Sequence, residues 1–133
     1  MLKTKLLWLL LLLASINIAS ATISNLSLEP SSLSFTLLQN EFKSFDFSLT
    51  NTGLSDITAS FSSTIIEDND DDQIIIGLPS NVITILPSST KIITANIDVD
   101  SSMDLDTYQG IITITDTNTN VTDNIPLSLA ITP

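Results

Sequence analysis

The chain has 133 residues, a formal net charge of −11, and no cysteine, histidine or arginine. Without Cys or His it can form neither a disulfide nor a Cys–His or Ser–His nucleophile pair. Its few cations also argue against nucleic acid and anionic membrane surfaces, which are held through Lys/Arg clusters.

The first residues read as an export signal. Lys3 and Lys5 precede an unbroken apolar run over residues 6–13, and Ala19-Ser20-Ala21 supplies the small residues of a cleavage site. A membrane-spanning helix needs about 20 apolar residues, and Ser15, Asn17 and Ser20 interrupt the run well before that. The expectation is a signal peptide over residues 1–21 and one domain over residues 22–133, secreted or held at the cell surface. With no second long apolar run, no membrane insertion is expected after cleavage.

From there the chain alternates. Residues 23–28 predict a short first strand, broken at Glu29-Pro30 and resumed over residues 33–37, as where an edge strand changes sheets. In residues 43–51 Phe45, Phe47 and Leu49 alternate with Ser44, Asp46 and Ser48, and Asn51-Thr52-Gly53 ends the run. That is a half-buried strand closed by a turn. Residues 56–65 repeat the rhythm, and an acidic loop over residues 67–72 follows. Ile74-Ile75-Ile76 is too short to assign. Strands are predicted over residues 82–86, 91–99, 110–115 and 124–132, with Asp116 to Asn120 a turn of polar residues and the last strand near a sheet edge because Pro126 has no N–H for a ladder. Seven to nine β-rich strands with turn signals at short intervals predict an all-β fold, an antiparallel two-sheet sandwich, with a closed barrel as the alternative.

Leu28-Glu29-Pro30-Ser31-Ser32-Leu33-Ser34-Phe35, the strand ending in Asn51-Thr52-Gly53, and Tyr108-Gln109-Gly110-Ile111-Ile112 together resemble a family of immunoglobulin-like domains. It is the major-sperm-protein/ASPM-SPD-2-Hydin type, with the related BACON and NEW3 domains of bacterial and archaeal surface proteins. The resemblance spans nearly all of residues 22–133 and rests on structural motifs. It implies an immunoglobulin-like sandwich with binding, spacer or assembly roles, and no shared catalytic residues.

Chemistry is sparse. A Ser–Lys arrangement would need Lys43 or Lys91, which both read as solvated charges. Aromatic platforms for a glycosidase or a sugar site are nearly absent, and Tyr108, the one candidate, reads at least as naturally as a Tyr at the start of a late strand packed against the corner before it, so neither an enzyme nor a glycan binder is expected. No cofactor is expected except a calcium ion. Asp68, Asp70 and Asp72 alternate in the acidic loop as hard-cation ligands can. However, Gln73 stands where an EF-hand-type loop needs Gly, and no glutamate closes the loop. Asp98, Asp100, Asp104 and Asp106 could add ligands if the two loops are neighbours. A solvated, repelling loop is the plainer reading. Asn25-Leu26-Ser27 and Asn120-Val121-Thr122 match the glycosylation acceptor pattern, with Asn120 in a turn and Asn25 in a strand. The sequence therefore points to a non-catalytic structural or protein-binding module. The alternatives are a calcium-dependent ligand-binding module, or an assembly subunit working by strand addition at the first or last strand.

Overall fold

The computed structural model describes residue 23 and residues 25–63, 66–67 and 73–133, with backbone alone at residues 63, 66, 67 and 73. The expected signal peptide therefore lies outside the described residues. Within them no helix is long and apolar enough to cross a membrane.

Among the described residues eleven strands follow one another: β1 Leu26–Glu29, β2 Leu33–Leu38, β3 Phe42–Asn51, β4 Ile57–Ser63, β5 Ile66–Glu67, β6 Gln73–Ile74, β7 Ile76–Gly77, β8 Ile83–Ile85, β9 Thr90–Asp98, β10 Thr107–Asp116 and β11 Val121–Thr132. One sheet has the order β1-β3-β9-β7, and the other β2-β11-β10-β4-β8, with β5 on the end of β10 and β6 beside β5. The expected two-sheet all-β sandwich is the fold.

Period-two alternation builds the interior. Phe47 and Leu49 of β3 and Ile93, Ala95 and Ile97 of β9 face Tyr108, Ile112 and Ile114 of β10 and Ile125, Leu127 and Leu129 of β11, all buried. Removing such a side chain from water contributes about 1.5–3 kcal/mol, and without a disulfide this burial must carry the fold. Phe47 meets Phe61 edge-on, with ring centroids 6.1 Å apart. Phe35 lies 5.0 Å from Phe45, and the Lys43 ammonium sits 5.7 Å over the Phe35 ring. Lys43 is thus half-buried at an inward position of β3, packed on an aromatic face where a solvated charge was expected.

The proline break behaves as expected. β1 pairs with β3 in one sheet, while β2 pairs with β11 in the other, so the first strand changes sheets at Pro30. The last strand does not sit at an edge. β11 is twelve residues long and lies between β10 and β2. Pro126 is accommodated because the parallel partner begins one residue later, at Leu127 opposite Leu33. The edge expectation holds only for the half of β11 before that point. β10 also starts earlier than expected, at Thr107, because buried Tyr108 continues the inward row of Ile112 and Ile114. The unassigned Ile74-Ile75-Ile76 divides between sheets: β6 pairs with β5 and β7 with β9.

Candidate functional site

Two polar side chains are buried among the described residues, Asn51 and Asp116. Each takes the next inward position of its strand, after Leu49 on β3 and after Ile114 on β10. Both lie at one pole of the sandwich, on the wall of an open polar cleft of about 670 Å³ that Asn25, Gly53, Asp56 and Thr119 also line.

Asn51 is a junction. Its Nδ2 donates to the carbonyls of Ser55 at 2.7 Å and Ile85 at 2.9 Å, and its Oδ1 accepts from Gly53 N at 3.0 Å. Its backbone N donates to Ser89 O, and its own carbonyl accepts from Ser88 N. One residue thereby closes the β3–β4 turn and ties down both ends of the β8–β9 connection. Asp116 does the same for the β10–β11 hairpin. Its Oδ1 accepts from Asn118 N at 3.1 Å and Thr58 N at 3.4 Å, and its Oδ2 accepts from the Thr119 hydroxyl at 3.2 Å. The buried carboxylate is spent on its own turn. A glycosidase-like acid pair would need an unengaged partner for Asp56, and Asp116 is not one.

Thr52 N donates to Asn25 O at 2.8 Å, which brings the residue before β1 against the turn. A Cβ at Gly53 would lie 2.9 Å from the Asn25 Cβ, closer than real contacts allow. Gly53→Ala should therefore cost about 1–3 kcal/mol by overpacking, measured by urea unfolding. A cost near zero would mean that Asn25 moves aside freely.

The sequence candidates fall as follows. Asp68, Asp70 and Asp72 lie outside the described residues. Within the described residues no group of three or more acidic side chains could hold a metal ion, and this includes Asp98, Asp100, Asp104 and Asp106. Asp100 instead folds its own loop, accepting from Ser102 N at 2.9 Å and the Ser101 hydroxyl at 3.3 Å. The Ser102 backbone N–H above all holds its carboxyl below the usual range. That contribution is present above the ordinary carboxylate range and is lost as pH falls through the lowered value. Asn25 is not in a strand. It is a turn residue with φ 64°, and Asn120 has φ 59° in the β10–β11 hairpin turn. Both asparagines are exposed at the cleft pole. Tyr108 is 0% exposed, and its hydroxyl donates to Asp104 O at 3.2 Å. It is a core anchor and no stacking platform for a sugar.

Sequence reasoning quoted Asn51 and Asp116 as turn residues and missed that they are buried. The signal was their parity, since each continues a row of inward apolar residues.

No family model matches the chain, and no curated protein matches it. Solved structures do. A family 123 glycoside hydrolase from Clostridium perfringens matches with TM-score 0.66 at 11% identity, over 80% of this chain and 27% of that one. The chain thus spans about a quarter of that protein. The PapD-like domain 7 of human CEP192 matches with TM-score 0.61 at 12% identity, over 87% of this chain and 91% of that one. A chain of the CsuC–CsuE chaperone–tip adhesion subunit complex of Acinetobacter baumannii matches with TM-score 0.56 at 15% identity, over 79% and 56%. At such identities the likeness is one of fold, and the fold is immunoglobulin-like.

Proposed function

We propose that this protein is an exported, non-catalytic immunoglobulin-like module that works by protein contact at the cell surface or outside the cell, residues 1–21 being its signal peptide. One observation carries the reading: the buried polar groups of the cleft, Asn51 and Asp116, are consumed by turns. Among the described residues, the sandwich leaves backbone hydrogen-bonding groups unpaired at its sheet edges, which is what protein contact by strand addition uses. The PapD-like and chaperone–adhesion neighbours support the same reading.

Expression of the whole chain through a secretory pathway tests export. Intact mass should show a released protein beginning at Thr22, and a product retained in membranes with its leader attached would count against it. A photo-crosslinker placed at exposed Leu38 or Ile92 in the producing cell tests contact. A reproducible protein adduct supports the reading, and its absence at every edge refutes it.

A scaffold of this kind needs no calcium. Its melting midpoint should be the same in EDTA and in millimolar calcium, with magnesium at matched ionic strength as the control. A ligand present at 100 times its dissociation constant adds about 2.7 kcal/mol, a rise of several degrees at this size. Such a rise, abolished in Asp70→Asn/Asp72→Asn, would transfer the function to the acidic loop.

A further inference from the structure

We propose that the protein pairs with a second copy of itself, strand to strand, along the open edge of β9. This rests on the protein-contact reading above and names its surface and its partner. On one side β9 pairs with β3 from Thr90 to Asp98. On the other, β7 covers only Asn96 and Ile97. Continuing that register would set Leu78 opposite Ala95 and Pro79 opposite Thr94, and there the ladder stops, because proline has no N–H to give. Among the described residues, the backbone of residues 90–95 has no strand partner on that side. Six residues make an ordinary strand.

Natural edges are usually blunted by charge, proline or bulges. This one carries a single charge, Lys91, and presents Ile92 at 70% exposure. The facing sheet ends on the same flank in β8, bracketed by exposed Val82 and Leu86, since residues 86–89 join β8 directly to β9. Apolar surface borders the open backbone on both sheets.

The open window favours a copy of this chain. In a two-fold antiparallel pair the same patch meets itself, and residues directly opposite must face the same side. Pairing centred on Ile92 sets Ile92 against its mate, Thr90 against Thr94, and Lys91 against Ile93. It uses the window without setting like charges directly opposite, the two Lys91 lying on the diagonal of the pair. Centring on Lys91 would oppose two ammonium groups, and centring on Ile93 would use residues 91–95 but carry Thr90 of each copy up against Asn96 of the other, which β7 already occupies. The net charge, −11 over the whole chain and more negative still once Lys3 and Lys5 leave with residues 1–21, makes two copies repel at long range. With a Debye length of about 8 Å at physiological salt, only the local charges oppose pairing strongly. Salt should therefore strengthen the pairing, whereas it would weaken capture of a cationic peptide.

Sedimentation of the purified chain from micromolar to millimolar concentration tests this. The average mass should rise from one chain toward two, and more so in high salt. Ile92→Lys sets a cation against its own mate and should weaken association about tenfold or more. Ile92 faces water, so circular dichroism and the melt should be unchanged. Ser48→Lys is the control: Ser48 pairs with Ile92 on the neighbouring β3, on the same outer face but one strand in from the edge, and it should associate like the parent. A monomer at every concentration overturns the self-pairing and leaves the protein-contact reading to the crosslinking test. Association that survives Ile92→Lys, falls equally in Ser48→Lys, or weakens with salt overturns it as well.

Discussion

Asn51→Ala is expected to lower the unfolding free energy by about 3 kcal/mol, although it removes only a small polar side chain. The carboxamide serves three backbone groups: the carbonyls of Ser55 and Ile85 and the N–H of Gly53. Each buried group left without a partner costs about 1–3 kcal/mol. Ser55 and Gly53 border the open cleft, where water can replace part of the loss. The Ile85 carbonyl bond is buried and has no such relief. Against a total stability of about 5–15 kcal/mol, the midpoint should fall by about 10 °C or more. Thr52→Ala, one residue on and exposed, should stay within about 0.5 kcal/mol. Thermal and urea unfolding followed by circular dichroism measure both. A loss below about 1 kcal/mol for Asn51→Ala would mean that water or a rearranged turn satisfies Ile85. The pole would then be far less rigid than its hydrogen bonds indicate.

Tyr108→Ala should cost about 3–5 kcal/mol, the range for emptying a large aromatic site in a core. Tyr108→Phe should cost only about 1 kcal/mol, the net worth of the lost hydroxyl bond to Asp104. The pair of variants separates two roles. A ring used as a sugar platform stands in water, so its removal would leave stability nearly unchanged. A ring at 0% exposure cannot be removed without a cavity. If Tyr108→Ala melts like the parent, the β9–β10 connection is loose and Tyr108 is not the anchor of its corner. If Tyr108→Phe costs as much as Tyr108→Ala, the hydroxyl network outweighs the packing of the ring.

Much of the fold was legible in local pattern. Phe45, Phe47 and Leu49 on β3, Ile112 and Ile114 on β10, and Ile125, Leu127 and Leu129 on β11 announce a buried face through period-two alternation. Pro30 announced the change of sheets because proline has no N–H to give to a ladder. The candidate site was less legible. Asn51 and Asp116 read as turn residues because Asn and Asp favour turns whether or not they are buried. What buries them is tertiary: the approach of β8 to one and of the β4 start to the other.

Alternation along a strand is a property of the chain itself, so the sequence alone determined a two-faced, all-β protein with a disulfide-free apolar core. It also carried the export signal as an expectation and the lack of Cys–His and Ser–His pairs as a matter of composition. Strand partners are a different kind of information. The N–H and C=O groups that pair strands are the same on nearly every residue and carry no label, so their assignment waits on packing across the whole domain. Only the tertiary structure placed β11 between β10 and a parallel β2, despite Pro126. Only it divided residues 73–77 between two sheets and, among the described residues, left residues 90–95 of β9 without a strand partner on the side away from β3.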